Sequence, residues 1–177
     1  MKDKARSFYR FLERKPKKIF VLPIYKRKNL WYTVTTISTT GVKLMGKFVI
    51  KKTPTGAFNF SLYAANKEKI AVSSQVYSTK AACKKGMESI AKNAAKCIAE
   101  DKVEDQTLKT PTAKTCPKFE IYFDKAGLYR YRLIATNGEC VAICEEGYKS
   151  KSGVMNGIKS VSVNAVDAEI VDETIDK

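Results

Sequence analysis

The sequence predicts an α+β protein built from two tandem β-β-β-α-β repeats, and three observations lead to this prediction. A shift of 71 positions aligns residues 46–98 with residues 117–169 without a gap, and 15 of the 53 aligned positions are identical. Each copy begins with apolar residues at every second position, which is typical of half-buried strands. Each copy then changes to a period of about 3.6 residues, which indicates a helix. A duplication explains both copies.

The alternation predicts three strands at the start of each repeat. Apolar residues that share one strand face are, in the two copies, Phe48, Ile50, Phe58, Phe60, Leu62 and Ala64, then Phe119, Ile121, Phe123, Tyr129, Tyr131, Leu133 and Ala135. Gly56 and Gly127 mark the first turn. Asn137-Gly138 predicts a two-residue hairpin before a third strand over residues 139–144. The first copy has Asn66-Lys67 at the position of this hairpin.

A helix is predicted after Tyr77 in the first copy and after Tyr148 in the second. Thr79 and Ser150 are aligned candidate N-caps, because a hydroxyl can accept a hydrogen bond from an early helical N–H. The apolar stripes of the two helices are Cys83, Met87, Ile90 and Ala94, then Val154, Ile158, Val161 and Ala165. We interpret the two tyrosines as packing anchors that fix the preceding loops to the sheet.

Two further residue types recur in both predicted helices. Gly86 and Gly157 lie inside them, where glycine costs about 1 kcal/mol relative to alanine. We therefore expect each helix to make a close contact with the sheet or with the other helix. Asn93 and Asn164 lie near the predicted helix ends, and we interpret them as caps or turn formers.

Closing strands complete the two repeats. The motif AEIV at residues 168–171 predicts a short strand, and KCIAE at residues 96–100 is its counterpart in the first copy. The repeats are therefore expected to span residues 46–101 and 117–173, with a linker over residues 102–116.

These motifs resemble those of the YegP-like family of small bacterial proteins, a domain of unknown function. The resembling segments are GKFVI and PKFEI, AANKE and ATNGE, YSTKAACKKGMESI and YKSKSGVMNGIKSV, and KNAAKC and VNAVDAEI. The resemblance implies a single, largely antiparallel sheet with helices on one face and the closing strands exchanged between the repeats. It implies no activity. Pro117, Lys67 and Met87 depart from the family pattern at positions of packing and turns.

Residues 1–44 differ in composition from the rest of the chain. They contain 12 Lys and Arg residues against 2 Asp and Glu, a net charge of +10 out of +15 for the whole chain. Met45 directly precedes the first family motif, and the codons available to Thr40-Gly41-Val42 include a bacterial ribosome-binding site. We expect residues 1–44 to be an extension outside the native protein or disordered. The alternative is a basic arm for acidic partners, with an amphipathic helix near its start.

The composition excludes several kinds of catalytic site. The chain has no histidine, which excludes Ser-His-Asp and HExxH arrangements. Its five cysteines form no Cys-x-x-Cys pair and do not follow the repeat, so we expect free, partly buried thiols. No apolar run is long enough to span a bilayer. We expect a cytoplasmic, non-enzymatic binding or structural module without cofactor or metal, and a monomer in which the repeats pair internally.

The strand face directed away from the helices carries the candidate binding residues. Lys118, Tyr122, Arg130 and Arg132 are predicted to share this face in the second repeat. Basic groups and aromatic rings on a sheet can hold phosphates and stack on bases, so nucleic acid is the candidate partner. The alternative is an ordinary solvated face. The first repeat is predicted to place on it Lys47, Lys51, Asn59, Ser61 and Tyr63.

Overall fold

A computed structural model describes residues 45–175 and two short strands that precede them, β1 (Tyr25–Arg27) and β2 (Leu30–Tyr32). These two strands pair antiparallel and belong to the first of two units, of which the second is Lys43–Lys177. The expectations for residues 1–44, an extension or a basic arm, otherwise lie outside the described residues. In the part of the chain that the structure describes, neither helix is long and apolar enough to cross a membrane.

The second unit repeats one order of elements twice. In chain order these are β3 (Lys47–Lys52), β4 (Phe58–Tyr63), β5 (Lys69–Ser73), α1 (Lys80–Ala99), β6 (Val103–Asp105), β7 (Lys118–Phe123), β8 (Tyr129–Ile134), β9 (Cys140–Ile143), α2 (Lys151–Asn164) and β10 (Glu169–Asp172). The predicted α+β class and the β-β-β-α-β order of each repeat are confirmed.

One sheet contains all eight strands of this unit, in the order β10-β3-β4-β5-β9-β8-β7-β6. The strands β3 to β5 and β7 to β9 are antiparallel meanders, and they meet at the antiparallel pair β5–β9. The closing strand of each repeat lies parallel to the first strand of the other repeat, since β6 pairs with β7 and β10 pairs with β3. The exchange of closing strands that the family resemblance implied is therefore confirmed.

Both helices cover the same face of the sheet and share one core. The fully buried residues include Ile50 and Leu62 from the first repeat and Ile121 and Leu133 from the second. Helix α1 contacts not only β4 of its own repeat but also β7, β8 and β9 of the other repeat. Helix α2 reaches β4 and β5 in the same way. The apolar stripes therefore stabilise both repeats at once, and neither repeat has a core of its own.

The predicted helix starts are confirmed, and the turns lie where they were predicted. Thr79 accepts a hydrogen bond from the Ala82 N–H and Ser150 accepts one from the Gly153 N–H, each at 3.1 Å. The hairpin of the second repeat is not the predicted two-residue loop, because the Ala135 N–H donates to the Glu139 carbonyl and leaves a loop of three residues, 136–138. Gly138 has a φ of +83° in the hairpin of the second repeat. Lys67 takes the same left-handed conformation, with a φ of +69°, which is unfavourable for a residue with a Cβ.

The glycines inside the helices make room for the two recurring tyrosines. A Cβ atom at Gly86 would overlap the Tyr77 ring, and one at Gly157 would overlap the Tyr148 ring. Each ring stacks on an aromatic side chain of the sheet, with 6.0 Å between the centroids of Tyr77 and Phe60. The close contact expected at these glycines is therefore made by the tyrosine that precedes each helix, which acts as the predicted packing anchor.

The closing strand of the first repeat was predicted at the wrong residues. Residues 96–99 belong to α1, and the strand β6 follows at Val103–Asp105, inside the predicted linker. The reason is a difference in length, because α1 has 20 residues and α2 has 14. Ala94 and Cys97 are both buried and continue the helical stripe, so the helix gains more from packing than an early strand would.

The recurring asparagines connect the repeats rather than cap the helices, which corrects the sequence interpretation. Asn93 Oδ1 accepts a hydrogen bond of 3.2 Å from the Thr136 hydroxyl, in the β8–β9 turn of the other repeat. Asn164 Oδ1 accepts one of 3.1 Å from the Ala65 N–H, in the β4–β5 turn. Each contact joins residues that are far apart in the sequence, so the sequence showed only that both asparagines lie near helix ends. That position alone suggested a cap.

Ion pairs hold the exchanged strands to the helix starts. Lys80, the first residue of α1, donates to Asp172 of β10 at 2.9 Å. Lys151, the first residue of α2, forms the equivalent ion pair with Asp105 of β6. The lysine of the recurring helix-start motif therefore binds the closing strand that the other repeat contributes.

Candidate binding surface on the helix-free face

The sheet face that carries neither helix, here called the helix-free face, has a different chemistry in its two halves. The pairing registers place eight side chains in one row across the sheet, from β10 to β6: Val171, Val49, Ser61, Val72, Ile143, Arg132, Glu120 and Glu104. The first-repeat half of this row is mainly apolar, whereas the second-repeat half is charged. The two repeats therefore have similar residues on the core face of the sheet and different residues on the helix-free face.

A charge cluster occupies the second-repeat half. Lys118 Nζ lies 2.9 Å from Glu104 Oε2 and 2.7 Å from Glu120 Oε1. Arg132 Nε lies 2.5 Å from Glu120 Oε2. The Lys114 N–H of the linker also donates to Glu104 at 2.8 Å. Lys118 therefore lies between two carboxylates, and the cluster fixes β6 and the linker to β7.

The other two predicted site residues belong to the same surface. The Arg132 guanidinium lies 5.3 Å from the centroid of the Tyr122 ring, within the range of a cation–π contact. Arg130 Nε donates to Asp124 Oδ2 at 2.8 Å, and its Nη1 donates to the Glu145 carbonyl at 2.5 Å. The structure thus brings the four predicted site residues onto one face. It also pairs each of their cations with a carboxylate of the same chain.

The ionisation of the cluster follows from these contacts. Burial raises the pKa of Glu120, but hydrogen bonds from Lys118 and Arg132 outweigh it, and the net shift is downward. The hydrogen bond from the Lys114 backbone, followed by that from Lys118, lowers the pKa of Glu104. Burial lowers the pKa of Lys118, but its bonds to the two glutamates produce a net rise. Every one of these net shifts favours the charged form.

Acid should destabilise the protein through this cluster. The lowered pKa of Glu120 means that its contribution to stability is fully present above the unfolded-state pKa of about 4.3. That contribution is lost as the pH falls through the lower folded-state pKa. Urea unfolding at pH 7, 4 and 3 should show a steep loss of unfolding free energy below pH 4.3. The loss should be shallower for Glu120→Gln, whereas the exposed control Glu88→Gln should follow the unmodified protein. Equal slopes for the Glu120 variant and the control would contradict the cluster's role.

The partners of the predicted site residues could not be found from the sequence alone. Glu104 lies in the stretch assigned to the linker, so no strand register was available to place it beside Lys118. Asp124 offered a signal, because it precedes the Gly127 turn while Arg130 follows it. An antiparallel hairpin brings two such residues together.

The first-repeat half lacks these carboxylates. Val49 stands at the position of Glu120, and Val171 stands at the position of Glu104. Lys47 and Lys51 flank Val49 on β3 and share its face. Lys51 Nζ lies 3.5 Å from Glu173, but both side chains are more than half exposed, so this pair contributes little. Tyr63 is the cross-strand neighbour of Lys47.

Comparison with known proteins identifies the family. The domain of unknown function DUF1508 matches residues 55–98 and 124–172, that is, once in each repeat. A UPF0339 protein of Pseudomonas aeruginosa is 30% identical over 131 residues, which cover 74% of this chain and 100% of that relative. The chain belongs to the DUF1508 family. The resemblance that the repeated motifs predicted is therefore confirmed.

Two solved structures share the fold. The solution structure of the Escherichia coli protein of unknown function yegP has a TM-score of 0.59 and 24% identity, covering 75% of this chain and 97% of that one. The solution structure of a UPF0339 protein from Shewanella oneidensis has a TM-score of 0.55 and 25% identity, covering 72% and 90%. The names of these relatives state no activity.

The relatives of this chain occur in two lengths. A UPF0339 protein of Agrobacterium fabrum is 49% identical over 57 residues, which cover 32% of this chain but 90% of the relative. That relative is therefore about one repeat long, whereas the Pseudomonas relative spans both repeats. The β-β-β-α-β unit exists in this family both singly and in tandem.

The thiols and carboxylates form no further reactive centre in the described region. All five cysteines are free, as the sequence predicted. Burial raises the pKa of Cys83 and Cys97 to about 11, and it also raises the pKa of Cys140 and Cys144. A raised pKa keeps a thiol protonated and weakly nucleophilic. Between residues 45 and 175, no three Cys, Asp or Glu side chains converge as a metal site would require.

Proposed function

We propose that this DUF1508 protein is a non-enzymatic binding module that binds single-stranded nucleic acid on the first-repeat half of the helix-free face. The ionisation states support a binding role over a catalytic one. General acid–base catalysis needs a pKa near the working pH. The net pKa shifts of Glu104 and Glu120 are downward and that of Lys118 is upward, so these groups keep their ordinary charges at neutral pH.

The observation that carries the proposal is the difference between the two halves of one duplicated face. In the second repeat the basic groups are held by carboxylates, with Lys118 between Glu104 and Glu120. In the first-repeat half of the sheet, Val49 and Val171 replace both carboxylates, so the equivalent Lys47 does not lie between two glutamates. Val49 itself is buried between Lys47 and Lys51, so it offers a ligand no contact surface. A ligand with negative charges at intervals and flat groups that can stack fits these two lysines beside Tyr63.

The proposed contacts differ from those that the sequence suggested. Lys118, Tyr122, Arg130 and Arg132 remain candidate residues, but a phosphate would have to compete there with Glu104, Glu120 and Asp124. We therefore assign the phosphate contacts to Lys47 and Lys51 and base stacking to Tyr63. The basic stretch of residues 1–44 is the other candidate, and it can be tested separately.

Fluorescence anisotropy with labelled single-stranded RNA and DNA, at two salt concentrations, tests this proposal. In the full chain, Lys47→Gln with Lys51→Gln is expected to weaken binding and to lower the slope of log K against log salt by about 1.4, since each lost phosphate contact contributes about 0.7. The control is a pair of basic residues on the second-repeat half of the same face, Arg130→Gln with Arg132→Gln, which should change binding less.

Three outcomes would contradict the proposal. Absence of oligonucleotide binding would exclude nucleic acid as the ligand. A larger loss in the arginine pair than in the lysine pair would move the site to the second repeat. Binding by the full chain but not by residues 45–177, with that shorter chain shown to be folded by circular dichroism, would assign binding to the basic stretch instead.

A further inference from the structure

Four exposed apolar residues lie near one corner of the sheet, where α2 ends and β3 and β10 run side by side. Gly46 lies against Asn164, the last residue of α2, and its carbonyl accepts a hydrogen bond of 3.0 Å from the Glu169 N–H. The exposed residues around this contact are Met45 (38% exposed), Val163 (73%), Val166 (42%) and Ile170 (46%). Half of the eight large exposed apolar side chains of the described region therefore lie at this corner.

The opposite end of the sheet has no such surface. There the equivalents of Val163 and Val166 are Lys92 and Ala95. The equivalent of Ile170 is Val103, because each lies beside the first phenylalanine of its neighbouring strand, and Val103 packs against the core. Helix α1 is six residues longer than α2 and continues to Ala99, whereas α2 ends at Asn164. The exposure of Ile170 follows from the shorter helix.

Among the described residues, no strand pairs with the outer backbone edge of β10. Its Glu169 and the following Glu173 donate their N–H groups to β3, at 3.0 Å each. Since backbone groups alternate along a strand, the N–H and C=O groups of Ile170 and Asp172 point away from β3. Within the described residues β10 is the last strand at this end of the sheet. An extended segment could therefore pair with it as a further strand.

The charges along this edge are acidic although the chain as a whole is basic. Residues 163–175 contain four acidic residues and no Lys or Arg, against a net charge of +15 for the whole chain. Lys80 and Lys51 pair with Asp172 and Glu173, so within β10 the carboxylate outside these ion pairs is that of Glu169. The helix-free side of β10 carries Glu169, and the helix side carries Ile170.

We propose that β10 is a docking edge for an extended segment of a partner protein in which apolar and basic residues alternate. The segment pairs with the outward groups of Ile170 and Asp172 by strand addition. Its apolar side chains fall on the helix side and cover Ile170 and Val166. Its basic side chains fall on the other side and face Glu169. This surface is separate from the proposed nucleic-acid surface, and either proposal can fail without the other.

A second copy of this chain fits the same edge less well. Pairing of β10 with its own copy would place two acidic strands side by side, and like charges across a strand pair are destabilising. Charged edge strands commonly prevent association between copies. The charge pattern therefore favours a basic partner.

The proposal can be tested with labelled peptides of about seven residues, a length typical of a strand, and the full chain. One peptide alternates valine and lysine, a second replaces lysine by glutamate, and a third is the first with N-methyl groups on the residues that would donate to β10. The first peptide should bind. Fluorescence anisotropy should show that the other two peptides bind at least about tenfold more weakly than the first. Ile170→Lys should cause a similar loss, while Val76→Lys, at another exposed apolar residue, should not.

Four outcomes would contradict the proposal. Unchanged binding of the N-methylated peptide would overturn strand addition. Equal binding of the glutamate peptide would overturn the charge complementarity. If sedimentation shows that the full chain forms a dimer which Ile170→Lys dissociates, the occupant is a second copy and the proposal is wrong. A failure of the alternating valine–lysine peptide to bind would also overturn it.

Discussion

Residues 45–108, expressed without the second repeat, are expected to form a dimer and to have no folded monomeric state. This stretch contains β3 to β6 and α1. Its β6 pairs with β7 in the intact chain, and its β3 pairs with β10, so both partners are missing. Two copies can replace them by laying each β6 beside the β3 of the other copy.

The core gives the same expectation. Helix α1 packs on β7, β8 and β9, so a single repeat would expose much of the apolar stripe around Met87 and Ile90. The ion pair between Lys80 and Asp172 and the bond between Asn93 and Thr136 would also be lost. A domain below about 70 residues rarely has enough core to lose such contacts and remain folded.

Sedimentation and circular dichroism over a range of protein concentrations test whether the single repeat folds only as a dimer. The single repeat should lose its structure as it dissociates, because folding and association are then one equilibrium. The two-repeat chain is the control and should remain a folded monomer at micromolar concentration, since the second repeat supplies both missing strands. A folded monomeric single repeat with a cooperative unfolding transition would contradict the shared core. The short relative from Agrobacterium, about one repeat long, allows the same measurement.

Local patterns in the sequence were sufficient for most elements of the fold. The alternation of Phe119 and Ile121 determines a strand face, and a hydroxyl before a helical stripe determines an N-cap, as at Thr79. These features depend only on residues that are near each other in the sequence. Because the pattern occurs in both repeats, each repeat predicts the same features independently. The position of β6 failed because it depends on how far α1 continues, and an alignment without gaps cannot detect a helix of different length.

The contacts between repeats could not be predicted for a different reason. Asn164 bonds to Ala65, 99 residues away in the sequence, and nothing near either residue indicates the other. The same holds for the charge cluster, in which Glu104 reaches Lys118 only because β6 is exchanged. A strand pattern predicts which residues share a face. It does not predict which carboxylate will neutralise a basic residue there, and that pairing decides whether the residue is available to a ligand.

The substitution Ile121→Ala is expected to lower the free energy of unfolding by about 2 to 5 kcal/mol, the usual range for removing a large aliphatic side chain from a core. Ile121 is fully buried in β7, next to the strand β6 that the first repeat contributes. Helix α1 of the first repeat contacts β7, so the cavity would lie where the two repeats join.

Urea unfolding of the full chain, followed by far-ultraviolet circular dichroism, measures the effect, and Ile170→Ala is the matched control. Both substitutions remove the same atoms, but Ile170 is 46% exposed on β10 and Ile121 is fully buried. The control should therefore change stability by less than about 1 kcal/mol, as exposed positions usually do. An effect below about 1 kcal/mol at Ile121 would mean that the side chain is not in the shared core. A control effect as large as that of Ile121→Ala would mean that Ile170 is covered in solution by part of the chain itself, which would leave no free edge at β10 for a partner.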